Sequence, residues 1–232
     1  MYALIIAGGE GERLRPLTDD RPKAMVAVRG RPLIEHQLHW LRQGGVTHAI
    51  LLARYKADVL QAHLQEGACS GVKIVFSLED EPLGRGGALR KGFTLVPAEE
   101  QTVLAVNGDI LTEQPVVQVL SAHRRKGATA TVMLTRLRSP YGIALVDRAG
   151  RITNFAEKPF LPYWINAGVY VFSREFFALL PEKGDHEDTT FPSLSADGRL
   201  LGFKSTASWR AIDTFKDLRE AERELAIGPA LR

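Results

Sequence analysis

A glycine-rich loop near the N-terminus contains the residue types that bind phosphate. Gly8, Gly9 and Gly11 follow an apolar run, and the cations Arg13 and Lys23 come shortly after them. Glycine lets the backbone approach a ligand closely and adopt φ angles that other residues avoid. Backbone N–H groups exposed in this way, with cations beside them, suit a polyphosphate. The loop therefore predicts a nucleoside triphosphate ligand and chemistry at phosphorus.

Two common phosphate-binding patterns do not fit this loop. The dinucleotide fingerprint needs a third glycine where the chain has Leu14, which disfavours a dehydrogenase. The Walker pattern needs a Gly-Lys-Ser/Thr ending, which the loop lacks. A tight turn after the first strand of an α/β sheet would explain the glycines without a ligand. The added cations favour phosphate binding over that alternative.

The composition is that of a globular protein and excludes several function classes. The 232 residues are 45% hydrophobic and 25% charged, which is enough for a large core. A net charge of +3 indicates no long basic face for nucleic acid. Cys69 is the one cysteine of the sequence, which excludes an intramolecular disulfide and a multi-cysteine zinc site. No apolar run approaches membrane-spanning length and no signal peptide is recognised, so we expect a cytoplasmic protein without nucleic acid or membrane partners.

Strand-like and helix-like patterns alternate over the first half of the chain. Strands are predicted over 2–7, 48–53, 72–78, 102–106 and 128–137, and helices over 32–43, 57–66, 87–96 and 115–126. This alternation predicts a mostly parallel sheet covered by helices on both faces. Ligands of such sheets bind beyond the carboxyl ends of the strands. The glycine loop and residues 107–109 both follow strand ends, so we expect them to converge.

The second half has a different pattern. A hairpin is predicted from strands 143–146 and 151–156, followed by a strand over 165–172 and a helix over 174–180. Residues 200–212 are predicted to be extended, and a final amphipathic helix covers 214–226. No linker or repeat is recognised. We therefore predict one domain over 1–232, with a nucleotide-binding half and a lid-like half.

An ordered set of short motifs resembles the sugar-1-phosphate nucleotidyltransferases. Their opening pattern, Gly-Gly-x-Gly-x-Arg-Leu-x-Pro-Leu-Thr followed by Pro-Lys, is present over 8–18 and 22–23. Further motifs follow in the family's order: Glu81-Pro82-Leu83-Gly84, Asn107-Gly108-Asp109, Tyr141-Gly142, Glu157-Lys158-Pro159, Asn166-Ala167-Gly168 and residues 209–213. Each motif is weak alone, but the ordered set covers nearly the whole chain.

The resemblance implies a fold and a reaction. The fold is α/β, a Rossmann-like three-layer α/β/α sandwich with a mostly parallel mixed sheet, in which 1–127 mainly bind nucleotide and 128–232 mainly bind sugar. The reaction moves a nucleotidyl group from a nucleoside triphosphate to a sugar 1-phosphate, and pyrophosphate leaves. The attacking phosphate oxygen is already anionic, so catalysis rests on positioning and electrostatic stabilisation. Mg²⁺ is the expected cofactor.

The resemblance also assigns the catalytic cations and the metal ligands. It implies that Arg13 holds the β- and γ-phosphates and that Lys23 neutralises charge near the α-phosphate. It implies Asp109 and Asp213 as ligands of Mg²⁺, since two carboxylates from distant segments suit a divalent ion. Asp213 could instead cap the helix that follows it, although Thr214 could take that role.

Further residues are assigned to the substrates by the same resemblance. The nucleotide is expected to contact Ala7, Gly8, Gly9, Gly11, Arg13, Glu81, Gly84 and Gly108. The sugar phosphate is expected to contact Gly142, Glu157, Lys158 and Asn166, and Glu187 matches a family position near the sugar. In this assignment Lys158 contacts the phosphate, whereas Glu157 and Asn166 accept hydrogen bonds from sugar hydroxyls.

The chain departs from the family pattern at two positions, and the second of them leaves the base specificity open. Lys23 is followed by Ala24 where proline is usual, and Gly84 is followed by Arg85 where a small hydroxyl residue is usual. Arg85 could contact a phosphate or the base, or point into solvent. The chain is most similar to short guanylyltransferases for mannose 1-phosphate or a heptose 1-phosphate.

Three alternatives stay open. Uridylyl or thymidylyl transfer to another hexose 1-phosphate would use the same motifs. A non-catalytic sensor of nucleotide sugars would have the same fold, but it should have lost one of Arg13, Lys23, Asp109 and Asp213, and all four are present. Association of identical chains is also left open.

Overall fold

The computed structural model describes residues 1–65 and 71–227, and Cys69 lies outside them. The strands are β1 (Tyr2–Ile6), β2 (Ala27–Val28), β3 (Arg31–Pro32), β4 (His48–Ala53), β5 (Lys73–Leu78), β6 (Thr102–Asn107), β7 (Ile110–Thr112), β8 (Ala130–Arg138), β9 (Ile143–Val146), β10 (Ile152–Ala156), β11 (Phe160–Ser173), β12 (Leu200–Lys204) and β13 (Trp209–Ala211). The α-helices are α1 (Leu33–Gln43), α2 (Ala57–Gln65), α3 (Gly84–Phe93), α4 (Val116–Lys126), α5 (Thr190–Ala196) and α6 (Phe215–Ile227).

One large sheet carries the parallel strands that the sequence predicts. Its seven strands lie in the order β12-β8-β11-β6-β1-β4-β5. β11 runs antiparallel to its neighbours β6 and β8, and the other pairs in the sheet are parallel. The predicted α/β fold with a mostly parallel mixed sheet is therefore confirmed.

Helices cover both faces of this sheet and give three layers. Successive side chains of a strand point to opposite faces. Ile5 of β1 accordingly lies in one buried cluster with Leu38 of α1, whereas Leu4 lies in a second cluster with Leu89 of α3. Burial on both faces explains why the central strands are continuous apolar runs rather than alternating ones.

Glycines at the start of α3 allow another segment to pack against it. The helix begins at Gly84 rather than at residue 87, and Gly84 has a φ of +73°. A Cβ atom at Gly84 would lie 2.7 Å from the backbone of Gly184, and one at Gly87 would lie 2.4 Å from the carbonyl oxygen of Glu182. Residues 182–187 therefore lie directly beside the N-terminus of α3.

The second half both follows and departs from the sequence-based expectation. The predicted hairpin is present as β9 and β10, which pair antiparallel. The helix expected over 174–180 is a 3₁₀-helix over Arg174–Leu179. The short helix α5 was not predicted; Pro192 lies in its first turn, where a helix needs no N–H group from it. Within the described ranges, no helix is both long enough and apolar enough to cross a membrane.

A small two-stranded sheet joins distant parts of the chain. The segment predicted to be extended over 200–212 is divided into β12, in the large sheet, and β13. β13 pairs antiparallel with β7, with Ala211 opposite Ile110. Because β7 follows Asp109 and β13 precedes Asp213, this pairing brings the two predicted metal ligands together.

Candidate active site

A cavity of about 370 Å³ opens beyond the carboxyl ends of β1 and β6. The predicted site residues in its lining are Ala7, Gly8, Gly9, Lys23, Gly84, Gly108 and Asp109. Ligands of parallel sheets bind at this edge. The structure thus brings the glycine loop and residues 107–109 to one cavity, as the order of the elements predicts.

Neighbouring segments hold the glycine loop in place. The hydroxyl of Thr18 donates a hydrogen bond to the carbonyl oxygen of Gly11 at 2.9 Å, and Arg54 Nη2 donates to Glu10 Oε1 at 2.9 Å. At the end of β6, a Cβ atom on Gly108 would lie 2.5 Å from a backbone oxygen of β1. Glycine at this position therefore allows the two strand ends to meet.

Lys23 lies between the two predicted metal ligands. Its Nζ atom is 2.6 Å from Asp109 Oδ2 and 2.6 Å from Asp213 Oδ1, and Arg13 Nη2 is 2.9 Å from Asp213 Oδ1. Burial of Asp213 opposes ionisation, but Lys23 and Arg13 outweigh that effect and hold the pKa of its carboxyl group below the ordinary value. Both predicted catalytic cations and both predicted metal ligands therefore meet at one point.

A helix cap leaves the carboxylate of Asp213 free to reach that point. Asp217 Oδ2 accepts hydrogen bonds from the backbone N–H groups of Asp213 at 3.2 Å and Thr214 at 2.8 Å. The hydroxyl of Thr214 in turn accepts a bond from the N–H of Asp217 at 3.3 Å. Thr214 and Asp217 thus form the capping box of α6, and Asp213 does not cap the helix.

Two further contacts fix the segment that carries Asp109. The N–H of Ile212 donates to the carbonyl oxygen of Asp109 at 2.8 Å. Gln37 of α1 is buried, and its Nε2 atom donates to the carbonyl oxygens of Asn107 at 2.7 Å and Ile110 at 3.0 Å. Gln37 was not singled out from the sequence, because a polar residue on a helix is expected to be exposed unless its distant partners are known.

The carboxylates of Asp109 and Asp213 suit a metal ion that is shared with a substrate. Among residues 1–65 and 71–227 no group of three or more His, Cys, Asp or Glu side chains could hold a metal ion. Mg²⁺ needs no such group, because it binds through one or two carboxylates, substrate phosphates and water. These two carboxylates fit that mode.

Glu79 lines the first cavity, whereas the predicted nucleotide residue Glu81 is not among its lining residues. The Glu81 carboxylate is exposed, lies away from the lining and pairs with Lys183 at 3.1 Å. Glu79 lines the cavity, and its Oε2 atom accepts a hydrogen bond from the N–H of Leu83 at 3.1 Å. Burial raises the pKa of the Glu79 carboxyl group. Its position directly after β5, at a strand's carboxyl end, is a signal that could have identified it.

The predicted sugar-phosphate residues fall into two groups. Asn166 Nδ2 donates to Glu187 Oε1 at 2.6 Å, so Asn166 and Glu187 lie together. Gly142 lies beside Glu157, whose Oε1 atom is 3.4 Å from Lys158 Nζ. These contacts place Glu157 and Lys158 on the hairpin side and Asn166 on β11.

A second cavity of about 960 Å³ adjoins the first at the metal ligands. Lys158 and Asp213 line this second cavity, whereas Asp109 and Lys23 line the first. The contacts of Lys23 with both aspartates therefore mark the boundary between the two cavities. A donor bound in one cavity and an acceptor bound in the other would meet at this boundary.

The guanidinium group of Arg85 is held by carboxylates of residues 182–187. Its guanidinium group lies at the first cavity and pairs with the carboxylate of Asp185, with Nη2 at 2.8 Å from Oδ2. It also pairs with Glu187. Arg85 therefore joins α3 to residues 182–187 instead of pointing into solvent.

Comparison with known proteins identifies the family. The chain is 35% identical over 221 residues to the mannose-1-phosphate guanylyltransferase catalytic subunit beta of Drosophila pseudoobscura pseudoobscura, covering 93% of this chain and 60% of that relative's length. The crystal structure of HddC from Yersinia pseudotuberculosis is 26% identical, with a TM-score of 0.78 over 97% of this chain and 99% of HddC. HddC complexed with GMP-PN matches at 24% identity with a TM-score of 0.76, over 97% and 99% of the two chains. The sequence profile of the nucleotidyl transferase family matches residues 2–227, and the chain therefore belongs to that family.

Proposed function

We propose that this chain is an enzyme that transfers a guanylyl group from GTP to a sugar 1-phosphate and releases pyrophosphate. Mannose 1-phosphate and heptose 1-phosphates are the favoured acceptors. The observation that carries the proposal is the convergence of Asp109, Asp213, Lys23 and Arg13 where two cavities adjoin. The similarity to a mannose-1-phosphate guanylyltransferase supports the acceptor class.

The reaction needs charge neutralisation more than proton transfer. An oxygen of the acceptor phosphate attacks the α-phosphorus, and the bond from that phosphorus to the pyrophosphate oxygen breaks. Asp109 and Asp213 would hold Mg²⁺, which when bound supplies positive charge to the phosphate oxygens. Lys23 neutralises charge at the α-phosphate, and Arg13 holds the departing pyrophosphate through its planar fork.

Glu79 supports guanine as the base. Guanine presents two adjacent donors, N1–H and the N2 amino group, and one carboxylate can accept from both. Uracil and thymine present a single N3–H group that lies between two carbonyl oxygens. A carboxylate that accepts from this N–H is repelled by both oxygens. Glu79 places a half-buried carboxylate in the lining of the donor cavity. HddC has been crystallised with GMP-PN, a guanine nucleotide analogue, which agrees with this choice.

A pyrophosphate-release screen tests the reaction and its substrates together. GTP, UTP, dTTP and ATP are each offered with mannose 1-phosphate, a heptose 1-phosphate and glucose 1-phosphate, with Mg²⁺ or with a chelator. We expect release with GTP and a manno-configured acceptor, and none with the chelator. Release with UTP or dTTP but not with GTP would contradict the guanylyl assignment.

A pair of variants distinguishes an enzyme from a sensor. Asp109→Asn removes one charge at the proposed metal site and should lower turnover by about a thousandfold. Asp147→Asn is the matched control, because Asp147 lies in the exposed turn between β9 and β10. In the described structure its side chain bonds only to backbone N–H groups of that turn. Nucleotide binding without pyrophosphate release from any pair would instead indicate a non-catalytic sensor.

A further inference from the structure

Arg85 connects the nucleotide cavity to the side chains around Asn166. It is the second residue of α3 and lines the 370 Å³ cavity. Its backbone N–H donates to Asp185 Oδ1 at 2.7 Å, and its Nε and Nη2 atoms donate to Asp185 Oδ2 at 3.2 and 2.8 Å. Its Nη1 atom pairs with Glu187 Oε2. All three nitrogen atoms of the guanidinium group therefore contact carboxylates on one segment.

The carboxylate of Glu187 also contacts side chains of β11. Its Oε1 atom accepts hydrogen bonds from Asn166 Nδ2 at 2.6 Å and from the hydroxyl of Tyr170 at 2.9 Å. Burial raises the pKa of Tyr170, so this hydroxyl keeps its proton and remains a donor. Asn166 Oδ1 accepts a bond from the N–H of Gly168 at 2.9 Å. Arg85, Glu187 and Asn166 thus form one continuous set of contacts between α3 and β11.

This set of contacts ends beside the nucleotide cavity. Gly168 packs on the side chain of Asn107, since a Cβ atom at Gly168 would lie 2.7 Å from Asn107 Nδ2. Asn107 lines the same cavity as Arg85. A carboxylate and an amide next to each other are groups that bind sugar hydroxyls. Glu187 and Asn166 are therefore placed to hold a sugar next to a bound nucleotide.

The charges make Arg85 necessary for this arrangement. Asp185 and Glu187 are two carboxylates on one segment with Arg85 between them, and both are more than half buried. The hydrogen bond from Arg85 is the largest of the influences that hold the pKa of Asp185 below its ordinary value. Without the guanidinium group the two carboxylates would repel each other. The planar fork of arginine can serve both at once, and a threonine or serine could not reach them.

We propose that Arg85 is a positioning residue for the acceptor, which fixes Glu187 and Asn166 and so sets the affinity for the sugar 1-phosphate. The inference rests on the proposed function, because it assumes that a sugar 1-phosphate is the acceptor. It assigns Arg85 no contact with the phosphates of the nucleotide, since its donors face Asp185 and Glu187.

Steady-state kinetics of three variants test this assignment on the substrate pair that shows most release in the screen above. Arg85→Thr should raise KM for the sugar 1-phosphate by about tenfold and leave KM for the nucleotide within about twofold of wild type. Arg85→Lys keeps the charge but not the fork and should recover part of the loss. Arg90→Ala is the matched control: Arg90 also lies on α3 and contacts Leu180 and Glu182, but it does not line the cavity. It should leave both KM values within about twofold of wild type.

Several outcomes would overturn the proposal. A rise in the nucleotide KM equal to that for the sugar 1-phosphate would show that Arg85 serves the nucleotide. A fall in kcat alone, or an effect no larger than that of Arg90→Ala, would show a purely structural role. Thermal unfolding of each variant monitors folding. If Arg85→Thr does not fold, Asp185→Asn replaces it: this change weakens one anchor of Arg85 and should raise the same KM by a smaller factor.

Calorimetric titration separates this inference from the proposed function. Mannose 1-phosphate and a heptose 1-phosphate are each titrated into the wild type and into the Arg85→Thr variant, both loaded with a GTP analogue that cannot transfer its guanylyl group. A chain that binds the sugar phosphate but releases no pyrophosphate would refute the proposed reaction, and the titration would still decide the role of Arg85. Equal affinities of wild type and variant would refute the role of Arg85 alone. Binding of neither sugar 1-phosphate to the wild type would refute both.

Discussion

Lys23 and Arg13 stabilise two carboxylates that would otherwise repel each other. The side chain of Lys23 is 13% exposed, and such a charge is tolerated only when it is well paired. Its contacts with Asp109 and Asp213, each at 2.6 Å, provide that pairing. Under the proposed function, Asp109 and Asp213 would hold a divalent ion, and the phosphates of the substrate would offer the ammonium group of Lys23 new partners.

Arg13 and Arg15 offer a matched comparison in this loop. Both side chains are more than half exposed, but Arg13 contacts Asp213, whereas Arg15 contacts Asp19 at 3.6 Å and Glu10 at 4.0 Å. Arg13→Ala should lower kcat by about a hundredfold, because the leaving pyrophosphate loses its cation. Arg15→Ala should change kcat by less than about twofold. Equal losses in both variants, measured by pyrophosphate release, would show that only the overall loop charge matters.

Elements from distant parts of the chain position the site, and this limits what the sequence could predict. The glycine loop, the strand ends and the hairpin were predictable because each is encoded by a local pattern. The pairing of β7 with β13 was not, since it joins residues 110–112 to residues 209–211 through no local signal. Gln37 was missed for the same reason, because its role depends on carbonyl groups far along the chain. Glu79 was missed although its position directly after β5 is a local signal.

The buried side chain of Gln37 connects α1 to the segment that carries Asp109. It donates to two carbonyl oxygens on either side of Asp109. Gln37→Leu should destabilise the fold by about 2 kcal/mol, because both buried carbonyl oxygens lose their partner. It should also lower kcat by about tenfold, since Asp109 loses its fixed position.

A control on the same helix makes this prediction specific. Gln43→Leu places the same substitution at an exposed position of α1 and should change stability by less than about 0.5 kcal/mol. Urea unfolding measures the stability of both variants, and pyrophosphate release measures kcat. A destabilised Gln37→Leu variant with wild-type kcat would show that Gln37 supports the fold without positioning Asp109.

Residues 182–187, which pack beside α3, include the buried histidine His186. His186 is fully buried among aromatic rings, and within the described structure neither of its ring nitrogens has a hydrogen-bond partner. Burial lowers the pKa of His186 to about 4. In the unfolded chain the ordinary value applies, so the unfolded state takes up this proton first as the pH falls. Stability from His186 is therefore complete above about pH 6.5 and is lost between about pH 6.5 and pH 4.

His186→Phe should reduce the loss of unfolding free energy as the pH falls below about 6.5. Each pH unit in this window costs the wild type about 1.4 kcal/mol through this group, and the variant lacks that cost. Burial also lowers the pKa values of His36 and His123, which should leave a residual slope. His39→Phe should retain the wild-type slope. Urea unfolding at pH 7, 6 and 5 makes the comparison; an unchanged slope in His186→Phe would show that His186 is not buried in its neutral form.

At the scale of the whole molecule, the direction of the strands determines where the first cavity lies. The parallel strands β1, β4, β5 and β6 end at one edge and build the first cavity, and the β7–β13 pair carries Asp213 from the second cavity to that edge. The contacts of Lys23 already balance the aspartates before any metal ion binds. Under the proposed function, we therefore expect a divalent ion alone to bind weakly at this site. We expect tighter binding of an ion together with a triphosphate, because the phosphates offer the ammonium group of Lys23 new partners.

This balance of charges predicts a cooperative effect of Mg²⁺ and nucleotide on thermal stability. Mg²⁺ alone should shift Tm by less than about 1 °C, whereas Mg²⁺ with GTP at about a hundred times Kd should raise Tm by roughly 5–10 °C. Asp213→Asn should abolish the difference between GTP with Mg²⁺ and GTP with a chelator, because it removes one of the two charges that hold the ion. Asp147→Asn should leave the difference intact. A large shift with Mg²⁺ alone would contradict this prediction. It would show that the aspartates bind the ion, and that Lys23 moves away from them, without any phosphate for Lys23 to pair with.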